Sequence, residues 1–213
     1  MGKTLGHRHV GMAVFVVAGC LVMGSVLAGA APGGPAFAAP LKSISIGDGT
    51  LDLSMQLRLR YEVFDNFDKR RYGTGETDTP LQERLRLGAS YHPTEDVEFF
   101  LQLQDNHYWG SETDVSEYGI TCPFENPLDL HQAYLLWEHI GGTPLGIKIG
   151  RQSISYADNR IWGPGDWGNT GRYLWDAAKV FWDDEWATTD LILAKQVLYD
   201  KRSIDNNHLD PSV

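Results

Sequence analysis

Residues 51–63 alternate without a break. The odd positions are Leu51, Leu53, Met55, Leu57, Leu59, Tyr61 and Val63, and the even ones are Asp52, Ser54, Gln56, Arg58, Arg60 and Glu62. Successive side chains of an extended chain point to opposite faces, so a period of two specifies a strand with one apolar and one polar face. At about 3.4 Å per residue such a segment reaches roughly 40 Å, and a tilt near 45° projects it to just under the ~30 Å of a bilayer core. Strands of soluble proteins are commonly about half that long. The polar face constrains as much as the apolar one, because Arg58, Arg60 and Glu62 are costly in a dry core and cheap against water.

The pattern recurs. Leu85, Leu87, Ala89 and Tyr91 oppose Arg84, Arg86, Gly88 and Ser90; residues 92–96 form a short turn into Val97, Phe99, Leu101 and Leu103. Ala133, Leu135 and Trp137 mark a weaker strand, residues 141–144 turn the chain, and Leu145, Ile147 and Ile149 follow. Ala178, Val180 and Trp182 lead through the turn at residues 183–185 into Ala187, Thr189, Leu191 and Leu193. About seven strands are expected, with no amphipathic helix. Turns at 92–96, 141–144 and 183–185 are short, whereas connections at 65–80, 105–127 and 153–175 are long. Short turns on one side, long loops on the other and a lipid-facing apolar band between aromatic girdles characterise outer-membrane barrels. Tyr61, Tyr91, Trp137, Trp182 and Trp186 fall near strand ends, where girdles belong. The expected fold is therefore all-β, an antiparallel transmembrane barrel of outer-membrane type. A soluble β-sandwich, which also alternates and turns on Gly and Pro, is the alternative.

The beginning of the chain is of another kind. Lys3 and Arg8 precede the uncharged apolar run 10–31, and Ala36-Phe37-Ala38 supplies a small-x-small cleavage pattern, so residues 1–38 are expected to be a secretory signal. An uncleaved anchor and lipidation at Cys20 are the competing readings of the same run. Residues 39–213 then form the barrel portion. Without Lys3 and Arg8 the 18 basic residues become 16 against 28 acidic ones, a net charge of -12. Nucleic acid is an improbable partner for such a field, since the longest basic run is Lys69-Arg70-Arg71. Cys122 is the one cysteine after residue 38, so no intramolecular disulfide is expected, and the residue reads as a bystander in a loop.

Gly150-Arg151-Gln152, Tyr156-Ala157-Asp158 and the run Gly163-Pro164-Gly165-Asp166-Trp167-Gly168-Asn169-Thr170-Gly171-Arg172 resemble the alginate-export family of bacterial outer-membrane porins. Residues 81–88 and 128–136 look like the same family's preceding strands. The resemblance implies a large single-chain barrel that passes a polyanionic polysaccharide through a positively charged lumen. Two features depart from it. Seven strands cannot close so wide a barrel, and residues 208–213 lack a terminal amphipathic strand with an aromatic last residue, which barrel-assembly machinery usually needs. The expectation is thus an N-terminal portion of a longer barrel, an incomplete chain, lodged in outer-membrane lipid and lipopolysaccharide.

By alternation Arg58, Arg60, Arg84, Arg86, Lys148 and Lys179 share the polar face and would line a path for an anionic saccharide or a small acid. Salt bridges to Glu62, Glu83 and Glu98 are the alternative use of the same cations. Arg160, Trp162, Asp166, Trp167, Asn169 and Arg172 compose a Gly/Pro-rich loop whose rings could stack on pyranoses or pack the rim. Arg151, at a strand end, enters through the resemblance alone. The acids concentrate in the loops, at Asp65, Asp68, Glu76, Asp78, Asp105, Glu112, Asp114 and Glu117. No catalytic motif, metal-ligand spacing or cofactor fingerprint is present, so neither enzyme activity nor a cofactor is expected. Three functions remain: an outer-membrane porin moving an anionic saccharide or small acid by passive, electrostatically selected diffusion; a porin of other specificity; and a periplasmic carbohydrate-binding sandwich.

Overall fold

The computed structural model describes residues 16–23 (backbone only), 41–68, 75, 77–112, 122–156, 169–171, 173–197 and 204. Among them lie nine strands: β1 (Val16–Met23), β2 (Ile44–Ile46), β3 (Gly49–Glu62), β4 (Leu81–Thr94), β5 (Val97–Trp109), β6 (Asn126–Trp137), β7 (Leu145–Ser153), β8 (Leu174–Asp183) and β9 (Thr188–Gln196). The seven expected strands are β3 to β9, and two more accompany them. All pairs are antiparallel and sequential in one sheet of order β1-β3-β4-β5-β6-β7-β8-β9, with β2 also on β3. The sheet is open, with β9 at one edge. Strand β1 falls inside the segment read as a secretion signal. It pairs with Met55 to Glu62 of β3, where an uncharged apolar segment meets backbone groups that would otherwise have no partner.

This sheet is buried on its polar side. Gln82, Gln104, Arg84, Arg86 and Gln152 are buried, Gln82 and Gln104 to 1%. Across the same strands Leu59, Leu87, Phe99, Leu101, Ile149 and Leu193 are exposed, Leu193 to 74%. Among the described residues the cluster of buried apolar side chains is Leu174 with Val197. A soluble sandwich needs the opposite distribution, since burial of apolar area is what holds it together. The exposed band has the height of a membrane: Leu51 pairs with Tyr91 at one end and Tyr61 with Leu81 at the other. Ten residue steps at about 3.4 Å, tilted about 45°, span roughly 24 Å, against an apolar band of about 25 Å in such barrels. Tyr91 and Phe99 stack at one level, with ring centroids 6.5 Å apart, and Trp137 and Trp182 are exposed at the same ends of their strands.

The first short turn is tighter than its sequence suggests, while the other two connections run over residues 138–144 and 184–187. Strand β4 runs on to Thr94, which pairs with Val97, so the expected turn at 92–96 shrinks to Glu95 and Asp96. Asp96 then ties this turn to the next one: its carbonyl accepts from Glu138 N at 2.8 Å, and its carboxylate lies 2.8 Å from His139 Nδ1. Between β8 and β9 the Asp184 carboxylate accepts from Trp182 Nε1 (2.8 Å), Trp186 N (2.8 Å) and Ala187 N (2.9 Å), an Asp acting as its own turn template. These bonds, the Trp182 bond first, hold Asp184 below its ordinary value of 3.8. A depressed carboxylate contributes stability above its unfolded value that is lost as pH falls through the folded one. Asp184→Ala should therefore lower the urea midpoint at pH 7, and the gap from wild type should close below about pH 4. A gap that does not shrink at all as the solution is acidified below the ordinary carboxylate range would refute the carboxylate's role.

Candidate functional site

Register places the arginines side by side. Arg58 of β3 pairs across the ladder with Arg84 of β4, which pairs with Asn106 of β5; Gln56, Arg86 and Gln104 form the adjacent row. Alternation puts all of these on the polar face, and amides orient the guanidinium groups. Arg84 Nη2 donates to Gln56 Oε1 at 3.4 Å, and Arg86 Nε donates to Gln104 Oε1 at 2.6 Å. Arg58 Nη2 donates to Asn169 Oδ1 at 2.9 Å. Asn169 belongs to the long β7–β8 connection, so this bond reaches 111 residues along the chain. Residues Asn169 and Thr170 of that connection lie against the polar face: Gln104 Nε2 donates to the Thr170 carbonyl at 2.7 Å, and the Asn169 and Thr170 amides both donate to Pro123 O at 3.3 Å. The segment just before β6 is packed here too, with Phe124 stacked on Tyr108 at 4.9 Å and Cys122 buried, where the sequence suggested a loop bystander.

The other cations are arranged differently. Arg60 donates to Glu62, which also accepts from Gln82 Nε2 at 2.5 Å. Lys148 of β7 pairs across the ladder with Lys179 of β8. Lys179 Nζ lies 3.2 Å from Asp190, while Lys148 Nζ stands 3.6 Å above the Tyr134 ring, a cation–π contact. Between the two lysines opens a polar cleft of about 150 Å³ with Gln152, Ser153, Ser155 and Tyr156 at its wall. Tyr156 donates to Asp190; burial and this contact push its hydroxyl up to about 12, so it remains a neutral donor at any physiological pH. Arg60 and Lys179 are thus held by carboxylates, and this structural use of charge coexists with the amide-oriented row of Arg58, Arg84 and Arg86.

Arg151 lies elsewhere. Alternation puts it on the side of Ile147 and Ile149, away from Lys148, and its guanidinium is 5% exposed. It grips Asp176 with two bonds of 2.8 and 3.1 Å and donates to Leu130 O at 3.1 Å. Arg160, Trp162, Asp166, Trp167 and Arg172 lie outside the described residues. Sequence reasoning passed over the glutamines. Gln56, Gln82, Gln102, Gln104, Gln132 and Gln152 recur on the polar face, and Gln82, Gln104 and Gln152 are each only 1% exposed. Their signal was present, since an uncharged hydrogen-bonding residue at every other position beside Arg is what a wet, crowded wall requires. Among the described residues no group of three or more His, Cys, Asp or Glu is placed to hold a metal ion. His107 instead contacts Asp105 at 3.0 Å.

Comparison with known proteins places this geometry. The family model for alginate export matches residues 50–210, covering β3 to β9 and every connection between them. No curated protein and no solved structure matches the chain.

Proposed function

The chain belongs to the alginate-export family, and on that premise we propose that its polar sheet face forms part of the wall of a channel for an anionic saccharide, moved by passive diffusion and selected by charge. Members of this family are outer-membrane porins, transporters rather than enzymes, and membership supports an alginate-export channel role. The observation that carries the selective step is the row of Arg58, Arg84 and Arg86, whose guanidinium groups are set in place by the amides of Asn169, Gln56 and Gln104. An amide fixes the direction in which a guanidinium points. Fixed cations on a water-filled wall lower the barrier for a polyuronate, and their planar forks suit its carboxylates. Lys148 and Lys179 add a second station on β7 and β8. Arg160, Trp162, Asp166, Trp167 and Arg172 complete the proposed contacts from the same loop as Asn169, and Arg151 braces its base. A small acid would be drawn by the same charges.

In this reading residues 1–38 are the export signal, and their removal frees the β3 edge from Met55 to Glu62 for barrel closure. The exposed apolar band meets outer-membrane lipid and lipopolysaccharide, and insertion is the work of barrel-assembly machinery. Reversal potentials across planar bilayers test the selective step. Wild type should prefer anions, and Arg84→Gln with Arg86→Gln should cut entry of an oligouronate by roughly tenfold or more, the scale of steering by fixed charge. Cation preference in wild type, or an unchanged ratio in the double variant, would overturn the proposal.

A further inference from the structure

We infer that Asn169 is a positioning residue that pins residues 169–171, near the end of the β7–β8 connection, onto the polar wall and orients Arg58 in the anion path. Asn169 is 0% exposed, although it belongs to a loop. The two N–H groups of its Nδ2 face three backbone carbonyls from three segments, Glu83 of β4 at 2.9 Å, Phe124 before β6 at 2.9 Å and, sharing one of the two hydrogens, His107 of β5 at 3.4 Å. Its Oδ1 accepts from Arg58 of β3. One side chain therefore ties the loop to three strands and to the segment leading into β6. Thr170 adds a second point of attachment through Gln104 and through Oγ1, which donates to Pro123 O at 3.4 Å. Carboxamide chemistry is required at this position. Only Asn and Gln carry two donors and an acceptor on one planar group, and three carbonyls demand donors on one side while a guanidinium demands an acceptor on the other.

Burial of these polar groups makes release expensive, because the carbonyls and the guanidinium would each lose a hydrogen bond in a crowded wall. Held in this way, residues 169–171 stay on the wall and Asn169 presents the Arg58 fork at a set angle. The role in conduction rests on the channel reading above; the docking itself does not. Asn169→Asp separates the two halves of the side chain, since it keeps an acceptor for Arg58 and puts a carboxylate oxygen against three carbonyls. Arg58→Gln does the converse.

Amide hydrogen exchange on the folded full-length protein reads docking directly. In wild type the Asn169 and Thr170 amides, bonded to Pro123, should exchange as slowly as those of β4 and β5. In Asn169→Asp they should exchange at least about tenfold faster while the strands keep their protection, as expected of a local opening. Arg58→Gln should leave them protected. In bilayers Arg58→Gln should weaken anion preference. Should Asn169→Asp fail to assemble, Asn169→Ala removes the donors without adding charge and is read in the same way. Fast exchange of these amides in wild type, or full protection in the Asn169 variants, would overturn the anchor. Protected amides together with a wild-type channel that prefers cations would leave the anchor standing and remove the selectivity proposal instead.

Discussion

Leu87→Arg should destabilise the membrane-inserted fold by about 2–4 kcal/mol, whereas Ser54→Arg, at the same height on the other face, should cost less than about 1 kcal/mol. Leu87 pairs with Met55 on one side and Leu103 on the other, midway between Tyr91 and Glu83 on its face of β4. It is 47% exposed in a row of exposed apolar neighbours. An arginine there must carry its charge into hydrocarbon. Ser54 pairs with Gly88, which has no side chain, and the space a Cβ would fill beside Gly88 is occupied by Ser54 Oγ. A longer side chain at residue 54 has room to extend into water. Urea-dependent folding into lipid vesicles measures both variants, and the Leu87 variant should lose roughly 30- to 1,000-fold in its folding equilibrium constant. Equal costs, or a larger cost for Ser54→Arg, would mean that the apolar face meets protein and not lipid.

The assignment of faces was legible because alternation survives averaging. Leu51 through Tyr61 and Leu85 through Tyr91 announce their orientation residue by residue, and every strand cation read as facing the polar side shares that side in the ladder. What sequence concealed is what depends on register and on contacts distant in the chain. The pairing of Arg58 with Arg84, and the bond from Arg58 to Asn169, follow from which residue of one strand meets which of another, and period two is silent about a shift of two. Asn169 was named as a sugar contact on composition. Its neighbours in the structure are backbone carbonyls and an arginine, contacts that composition does not announce. The bulge on β6 was equally hidden: Leu103 pairs with Leu130 and Gln102 with Gln132, leaving His131 as the extra residue. Nothing in the composition of residues 128–136 marks that insertion, yet it changes which residues of β6 face the arginines.

The same bulge explains why breaking the Arg151 contact should have the second large effect. Beyond the pairing of Ala133 with Arg151 the ladder between β6 and β7 stops, and the backbone groups of β6 must find other partners. Leu130 N donates to Ile204 O at 2.8 Å, Leu130 O accepts from Arg151, and Ser153 N donates to Gln132 Oε1 at 3.2 Å. Arg151 thus closes a gap between two strands while gripping Asp176 on the next. Its guanidinium is buried and Asp176 is a third exposed, so removing the cation should cost less than a fully buried pair, about 2–3 kcal/mol for Arg151→Ala. The cost should fall in the double variant Arg151→Met with Asp176→Leu, because the stranded carboxylate disappears and two apolar side chains suit the face that carries Ile147 and Ile149. A positive coupling between the two positions, measured by urea titration, identifies a clasp. If Arg151→Ala folds as well as wild type yet admits less oligouronate, Arg151 touches the saccharide instead. The clasp predicts the reverse order, with stability lost first and anion preference retained in every molecule that still folds, since the guanidinium points away from Lys148 and the arginine row.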